Sequence, residues 1–489
     1  MTKNLHFTTL TINVTDLSND KFFISISEDG VKKLFKNLEL KGAKLYFELS
    51  KCPSQKNNKV LSIKRTFLNN WKKGKRIPID VIEFICKNFN INTFDIQKEI
   101  IEIYTKSSKN SWKTNFPIVL NKDFFIISEA IRTEGCIIKG KVKDKIQGLA
   151  ISNKDIFLIK LIESKIKNLE IRDKCFSRLL NIYAYPNKEQ KVIRVLENST
   201  NKEIHFKQTK DRLVFLEQIK DYNINKSYTI HFKEGKTKLK VRINENNIVT
   251  TDSDLHSTAY ITLQIYNQVF ARFLSEIFST PFGIGTKKTF TIDFPFDINR
   301  LSKDILKEII NIVISCEGCV VNYKGTRSIR IKIGSINYLK KFQQILSIFK
   351  IESRIYNKNK EGLYILEIFR KNNLIKINNL IDFYVKYKKI QLVEALNSYN
   401  LNRVPHYEAS RFYLSLIRKY EPTTIKELSK KTNTKYETLM GQLIRLDKKG
   451  LVEKEGKVFN GKGATPWVYR LSKKGVKCLE NQEYIPLHR

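Results

Sequence analysis

The sequence predicts an α+β fold with a duplicated core, and three observations carry that expectation. Two stretches, ISEAIRTEGCI (127–137) and IVISCEGCV (312–320), are apolar runs of helical character that stop on Glu-Gly and pass into strand-like runs. Behind each, the elements come in one order: CIIKGKV, IQGLAISNKD and IFLIKLIESKIKNLEI after Glu134-Gly135, and CVVNY, RSIRIKIGSIN and YLKKFQQILSIFKIESRIY after Glu317-Gly318. Agreement over successive elements marks an internal repeat. Beyond the repeat, residues 404–482 read as three short helices and a hairpin. A fold that makes the Glu-Gly turn twice sets two carboxylates, Glu134 and Glu317, side by side.

Taken from the N-terminus, residues 1–105 predict a helical domain. Its readable stretch is FLNNWKKGKRIPIDVIEFICKNFNI, similar to the tail of a helix-turn-helix of the repressor type, in which Trp71 packs inside, Gly74 turns the chain and Pro78 opens the next helix. The first repeat is placed at 118–298 and the second at 299–397, the first being longer by an insertion between about 193 and 258. Strand alternation in RSIRIKIGS puts Ile329, Ile331 and Ile333 on one face and Arg330 and Lys332 on the other. Lys139, Lys141 and Lys143 alternate likewise after the first motif, and Lys238, Lys240 and Arg242 do so inside the insertion. For a single lysine, protection of a solvated edge strand is an equal explanation. Three strands with one habit favour a surface that faces DNA.

After ALNSYNLNRVP, a linker, SRFYLSLIRKY and TIKELSKKTN give two helices, the second opened by a capping box of Thr424 and Glu427. Thr434 and Glu437 are expected to cap the third, KYETLMGQLIRLDKKG, whose Leu439, Leu443 and Leu446 share one buried face. LVEKEGKVFNGKGATPWVYRLS closes the series as a hairpin with a basic, Gly-rich tip. The arrangement resembles a winged helix-turn-helix domain. That resemblance implies a third helix offering Lys435, Tyr436, Thr438, Gln442 and Arg445 to a major groove, with Lys457 and Lys462 on the wing touching backbone.

Composition sets the partner class. The chain has 489 residues, 89 Lys plus Arg against 49 Asp plus Glu, and a formal charge of +40 spread along its whole length. Such a surface repels itself unless it meets a polyanion, and release of counterions from a nucleic-acid backbone rewards the excess. The length suggests three or four domains, and 41% hydrophobic residues provide core material for them. MTKNLHFTTLTINVTDL lacks an uninterrupted apolar run and no stretch approaches a membrane span, so a cytoplasmic protein is expected. Seven cysteines predict free thiols rather than a disulfide framework. Cys316 and Cys319 bracket Glu317-Gly318 as C-x-x-C, but no second pair accompanies them, and packing at the end of a buried helix is the expected role of both. The histidines are scattered singly, and Gly283 and Gly285 in TPFGIGTKK read as a loop.

FIISEAIRTEGCI and INIVISCEGCV resemble the two signature helices of LAGLIDADG (DOD-type) homing endonucleases. The resemblance continues through FARFLSEIFSTPFGIGTKKTFTIDFP and LSKDILKEIINIVISCEGCV and covers roughly residues 118 to 397. It implies two αββαββα halves related by a pseudo-twofold axis, a saddle of strands over double-stranded DNA, and Mg²⁺ held by the acids that close each motif, here Glu134 and Glu317, each followed by its motif glycine, Gly135 or Gly318. Carboxylate-held Mg²⁺ suits phosphodiester hydrolysis, and in that scheme Glu134 and Glu317 are ligands rather than bases. With both halves in one chain, a monomer suffices for an asymmetric site. The third motif position, usually small, is Glu129 in one copy and Ile312 in the other, and the sixth is Arg132 and Ser315. Glu129 at a close-packed seam is expected to cost space and desolvation, through a shifted seam or a drift from catalysis. Two other functions use the same scaffold: a catalytically inactive DNA-binding regulator and an intron RNA maturase. An intein is not expected, since the chain opens without Cys or Ser and ends IPLHR.

Overall fold

The computed structural model describes residues 10–17, 22–35, 49, 65–105, 110–140, 146–186, 190–209, 212–244, 246–252, 255–280, 286–323, 326–357, 361–400, 409–432, 434–457 and 466–481. Helices and strands are mixed throughout, and the chain divides into two compact units, Met1–Leu392 and Val393–Arg489. Among the described residues no helix is long and apolar enough to cross a membrane.

The N-terminal segment comprises β1 (Thr11–Ile12), β2 (Phe22–Ile26), α1 (Glu28–Phe35), α2 (Arg65–Lys72), β3 (Ile77–Pro78), α3 (Ile79–Asn88), α4 (Thr93–Gln97), β4 (Ile100–Thr105), β5 (Trp112–Lys113) and β6 (Ile118–Val119). It is not the helical domain that the sequence predicts, because FFISI and IIEIYT pair as β2 and β4 at the centre of a four-stranded sheet of order β3-β2-β4-β5. Both runs are too short to show a period, and only the stretch from Phe67 to Ile91 has legible turn residues. In that stretch Trp71 is buried, Gly74 takes φ +70° and Pro78 sits at the N-cap of α3. Trp112 of β5 lies edge-on to Phe270 and Phe273, and its indole donates to Leu169 O, so the segment packs firmly on the first core region.

That first core region runs α5 (Lys122–Glu134), β7 (Gly135–Lys139), β8 (Ile146–Asn153), α6 (Ile156–Asn168) and β9 (Phe176–Tyr185). Inserted strands then intervene: β10 (Val192–Glu197), β11 (Lys202–Glu203), β12 (Phe206–Gln208), β13 (Leu213–Ile219), β14 (Asn225–Phe232), β15 (Lys236–Asn244) and β16 (Asn247–Asp252). The region resumes with β17 (His256–Ile265), α7 (Gln268–Ile277) and α8 (Thr286–Thr291). The second core region runs α9 (Lys303–Glu317), β18 (Gly318–Tyr323), β19 (Thr326–Ile333), α10 (Ile336–Ile348), β20 (Ser353–Tyr356), β21 (Tyr364–Phe369), α11 (Lys371–Leu380) and α12 (Lys386–Asn397).

The first region's six-stranded sheet has the order β12-β13-β9-β17-β8-β7, and the second's four-stranded sheet has the order β18-β19-β21-β20. In both, the strand after the Glu-Gly turn lies at one edge and the last strand slots between its two predecessors. The inserted strands extend the first sheet through β13 and β12 and also build a separate five-stranded sheet, β11-β10-β14-β15-β16. Period-two burial fixes each register: Leu180, Ile182, Ile261 and Leu263 are fully buried on one face of β9 and β17, as are Ile329 and Ile331 on β19.

The C-terminal unit contains α13 (Ala409–Tyr420), β22 (Thr423–Thr424), α14 (Ile425–Thr432), α15 (Tyr436–Lys448), β23 (Val452–Lys457), β24 (Trp467–Leu471) and α16 (Lys473–Glu480), with sheet order β22-β24-β23. Tyr413, Leu414, Leu428, Leu439, Leu443 and Leu446 share one buried cluster. Thr424 and Glu427 exchange the two bonds of a capping box at the start of α14. The expected cap of α15 by Thr434 does not form. Lys435 is the N-cap residue without a side-chain bond, and the Thr434 hydroxyl turns back to Thr432 O.

Candidate active site

Two helices build the site. Asn121 caps α5 by accepting from Asp123 N at 3.0 Å, and Ser302 caps α9 by accepting from Ile305 N at 3.3 Å. The two helices pack on each other, and α5 is buried from Asp123 through Arg132. Each ends on its acid because the next residue opens a strand. A Cβ at Gly135 would lie 2.5 Å from Ala150 O, and one at Gly318 would lie 2.5 Å from Ile314 O, so only glycine fits either turn. Their φ angles, −115° and −69°, make close approach the reason rather than handedness.

A lysine closes each helix end. The Lys288 ammonium, from α8, donates to Ile131 O, Thr133 O and Gly135 O at the end of α5. The Lys388 ammonium, from α12, donates to Ile314 O, Ser315 O and Cys316 O at the end of α9. Cations at helix C-termini satisfy orphan carbonyls and oppose the helix dipole. Burial holds both ammoniums below the usual lysine range, against the pull of Glu134 and Glu317. Burial likewise raises the Glu134 carboxyl, while Lys388 and Lys288 draw it down. Glu317 is pushed up to about 7 by burial and then by Glu134, with the two lysines opposing. The two acids and two ammoniums thus form one electrostatic cluster. Glu134 opens onto a cleft of about 500 Å³ lined also by Ser152, Asn153, Asp155, Asn247 and Tyr260.

The seam differs from expectation. Glu129 is fully buried, yet its carboxylate accepts from Arg132 and, at 2.6 Å, from the Tyr338 hydroxyl on α10, while Arg132 also donates to Phe278 O. The desolvation expected of Glu129 is therefore offset by charge-assisted bonds, one of which reaches into the second core region. Ser315 accepts from Tyr384 N at 2.9 Å, and Ile312 is fully buried. The C-x-x-C expectation holds for buried Cys316 and fails for Cys319, which is exposed because it is the second residue of β18 on the face opposite the helices.

The predicted DNA contacts scatter. Lys332 is exposed on β19, whereas Arg330 is held by Glu367 at 2.7 Å. Lys139 is exposed at the end of β7; Lys141 and Lys143 lie outside the described residues. Lys238, Lys240 and Arg242 belong to β15 of the separate five-stranded sheet, not to the sheet joined to a signature helix, because a period of two reveals a face but not which sheet owns it. On α15, Tyr436, Thr438 and Arg445 are exposed, Lys435 is half-buried, and Gln442 is half-buried with its Oε1 atom unpartnered among the described residues. The Lys457 side chain and all of Lys462 lie outside the described residues. Sequence reasoning misses Lys288 and Lys388: each stands in a Lys-Lys pair, Lys287-Lys288 and Lys388-Lys389, but as the second member of one and the first of the other, so aligning the pairs does not bring the two into register.

Among the described residues no three His, Cys, Asp or Glu side chains gather where they could hold a metal ion. The donor set is Glu134 and Glu317, and the cleft beside Glu134 adds the Asp155 carboxylate and the neutral oxygens of Ser152, Asn153 and Asn247. This fits a hard cation of the Mg²⁺ kind, which takes one or two carboxylates and fills its remaining positions with water and phosphate.

Residues 305–382, from α9 to just past α11, match the family model of the LAGLIDADG-like domain. The chain therefore carries a LAGLIDADG-like domain whose first helix ends on Glu317. Among solved structures, it is similar to mesophilic variants of the homing endonuclease I-DmoI (11% identity, 53% of this chain and 94% of that one, TM-score 0.27). It is also similar to I-WcaI bound to its DNA recognition sequence (14%, 56% and 88%, 0.28) and to full-length DUF199/WhiA from Thermatoga maritima (11%, 68% and 93%, 0.27). Scores this low add nothing to the family match. No curated protein matches the chain.

Proposed function

We propose that this chain is a site-specific endonuclease of double-stranded DNA, of the LAGLIDADG homing type, which hydrolyses phosphodiesters with Mg²⁺ and acts as a monomer on a long asymmetric site. One observation carries the reading: Glu134 and Glu317 end two mutually packed helices and share one electrostatic cluster, within a chain that holds a LAGLIDADG-like domain. Glu134 and Glu317 would hold the ion, which when bound polarises the attacking water and stabilises the leaving oxygen. Lys288 and Lys388 are positioning residues, fixing the helix ends so that both carboxyls stay where the regions meet. Lys139 and Lys332 offer backbone contacts from the strands, and the C-terminal unit, read as a winged helix, offers α15 to a major groove through Tyr436, Thr438 and Arg445.

A DNA-binding regulator is the second reading, and one observation favours it: two ammoniums already balance the acid pair. Cleavage of a randomised duplex library separates the two. The endonuclease cuts at defined sites with Mg²⁺ and not with Ca²⁺, and the cuts vanish in Glu134→Gln and in Glu317→Gln. Sequence-selective binding without cuts in either ion would make the chain a regulator.

A further inference from the structure

The inserted five-stranded sheet has two unlike faces. Leu239 and Val241 of β15, with Tyr228 and Ile230 of β14 and Val195 of β10, are fully buried on one of them. The other exposes Lys236, Lys238, Lys240 and Arg242 at alternate positions of one strand. Across β14 their partners are His231, Thr229, Ser227 and Asn225, and across β10 Arg194 stands opposite His231. Burial, Arg194 and Lys236 together hold the His231 imidazole below its usual range. On the far side Thr251 and Val249 face Lys240 and Arg242. None of these residues is acidic, and among the described residues Arg194 and the four basic side chains of β15 make no ion pair.

Edge protection does not explain the whole row. Lysines guard strands whose backbone is unpaired, whereas from Leu239 to Arg242, the stretch that carries Lys240 and Arg242, β15 is paired on both sides, to β14 and to β16. Four like charges spaced about 6.8 Å apart along one strand repel one another, and an external polyanion relieves that repulsion. The row also has an address. The turn beyond Arg242 is pinned beside Glu134: Ile156 N donates to Asn246 O at 2.7 Å, Ile248 N donates to Lys154 O at 3.1 Å, and Asn247 lines the Glu134 cleft. From that turn the row leads outward for about 20 Å, the length of roughly six base pairs.

We propose that this face, formed by Arg194, Lys236, Lys238, Lys240 and Arg242, is a second DNA-backbone contact that grips duplex flanking the cleavage centre on the side of the first core region only. The inference rests on the proposed function for its geometry, but its binding consequence can be read without any cut. The probe is a mixed-sequence duplex, titrated with the full chain over a range of salt. The variant replaces Lys236, Lys238, Lys240 and Arg242 together by Gln. Each lost phosphate contact lowers the slope of log affinity against log salt by about 0.9, so a fall of about 3 to 4 is expected. Replacing the three lysines by Arg instead keeps the wild-type slope.

On a site selected from the library, the Gln variant loses about six base pairs of protection on one flank and retains the centre. An unchanged slope and an unchanged footprint, with the thermal midpoint equal to wild type, overturn the proposal. Should the fourfold variant unfold, Lys238→Gln alone is read for its share of about 0.9 in slope. A wild type that never cuts would refute the nuclease and leave the slope comparison to judge this surface.

Discussion

Glu317 keeps its proton to about pH 7 because burial and the neighbouring Glu134 both disfavour its charged form. A carboxyl whose folded value lies above the ordinary 4.5 binds more protons in the native state than in the unfolded one across that window. Its contribution is therefore most favourable below about pH 4.5 and is lost as the pH rises through 7. The shift corresponds to about 3 kcal/mol at most, and Glu134, raised by the same cause, adds in the same direction. Denaturant unfolding with chelator at pH 5 and pH 7.5 should show wild type losing stability at the higher pH and Glu317→Gln losing distinctly less. Mg²⁺ should restore wild type at pH 7.5 and leave Glu317→Gln little changed. An equal pH loss in both proteins would place the titrating group elsewhere. The acids themselves are legible in the sequence, since each ends an apolar run at Glu-Gly; their titration is not, because it depends on groups that only folding brings near.

At the scale of elements, the contact between the two core regions contains a buried ionic network rather than a plain apolar seam. Tyr338→Phe removes one bond to the buried Glu129 carboxylate and should cost about 1.5–3 kcal/mol. Glu129→Ala leaves Arg132 buried without its carboxylate and should cost about 3–5 kcal/mol, both read as shifts of the urea midpoint. Gly318→Ala forces a Cβ against Ile314 O and should cost about 1–3 kcal/mol while displacing Glu317 and abolishing any cutting. The helices bearing these residues are readable from apolar periodicity and from the turn that ends them. The network is not, because Glu129 and Tyr338 stand 209 residues apart. Nor can alternation alone assign β15 to its sheet, and β22 and α16 of the C-terminal unit are too short to be read in advance.

For the molecule as a whole, a charge of +40 points to a polyanionic partner, and the structure gives part of that charge distinct places on β15, on β19 and along α15. Lys288 and Lys388 instead serve the protein itself. Lys288 reaches back 157 residues to Ile131, and Lys388 reaches back 74 to Ile314. In a chain growing from its N-terminus, Glu134 emerges long before the lysine that closes its helix exists, and every inserted strand is made in the interval. Contacts between such distant residues form late in folding. Glu317 and Lys388 come later still, so the acid pair gains its second ammonium only once synthesis has passed Lys388.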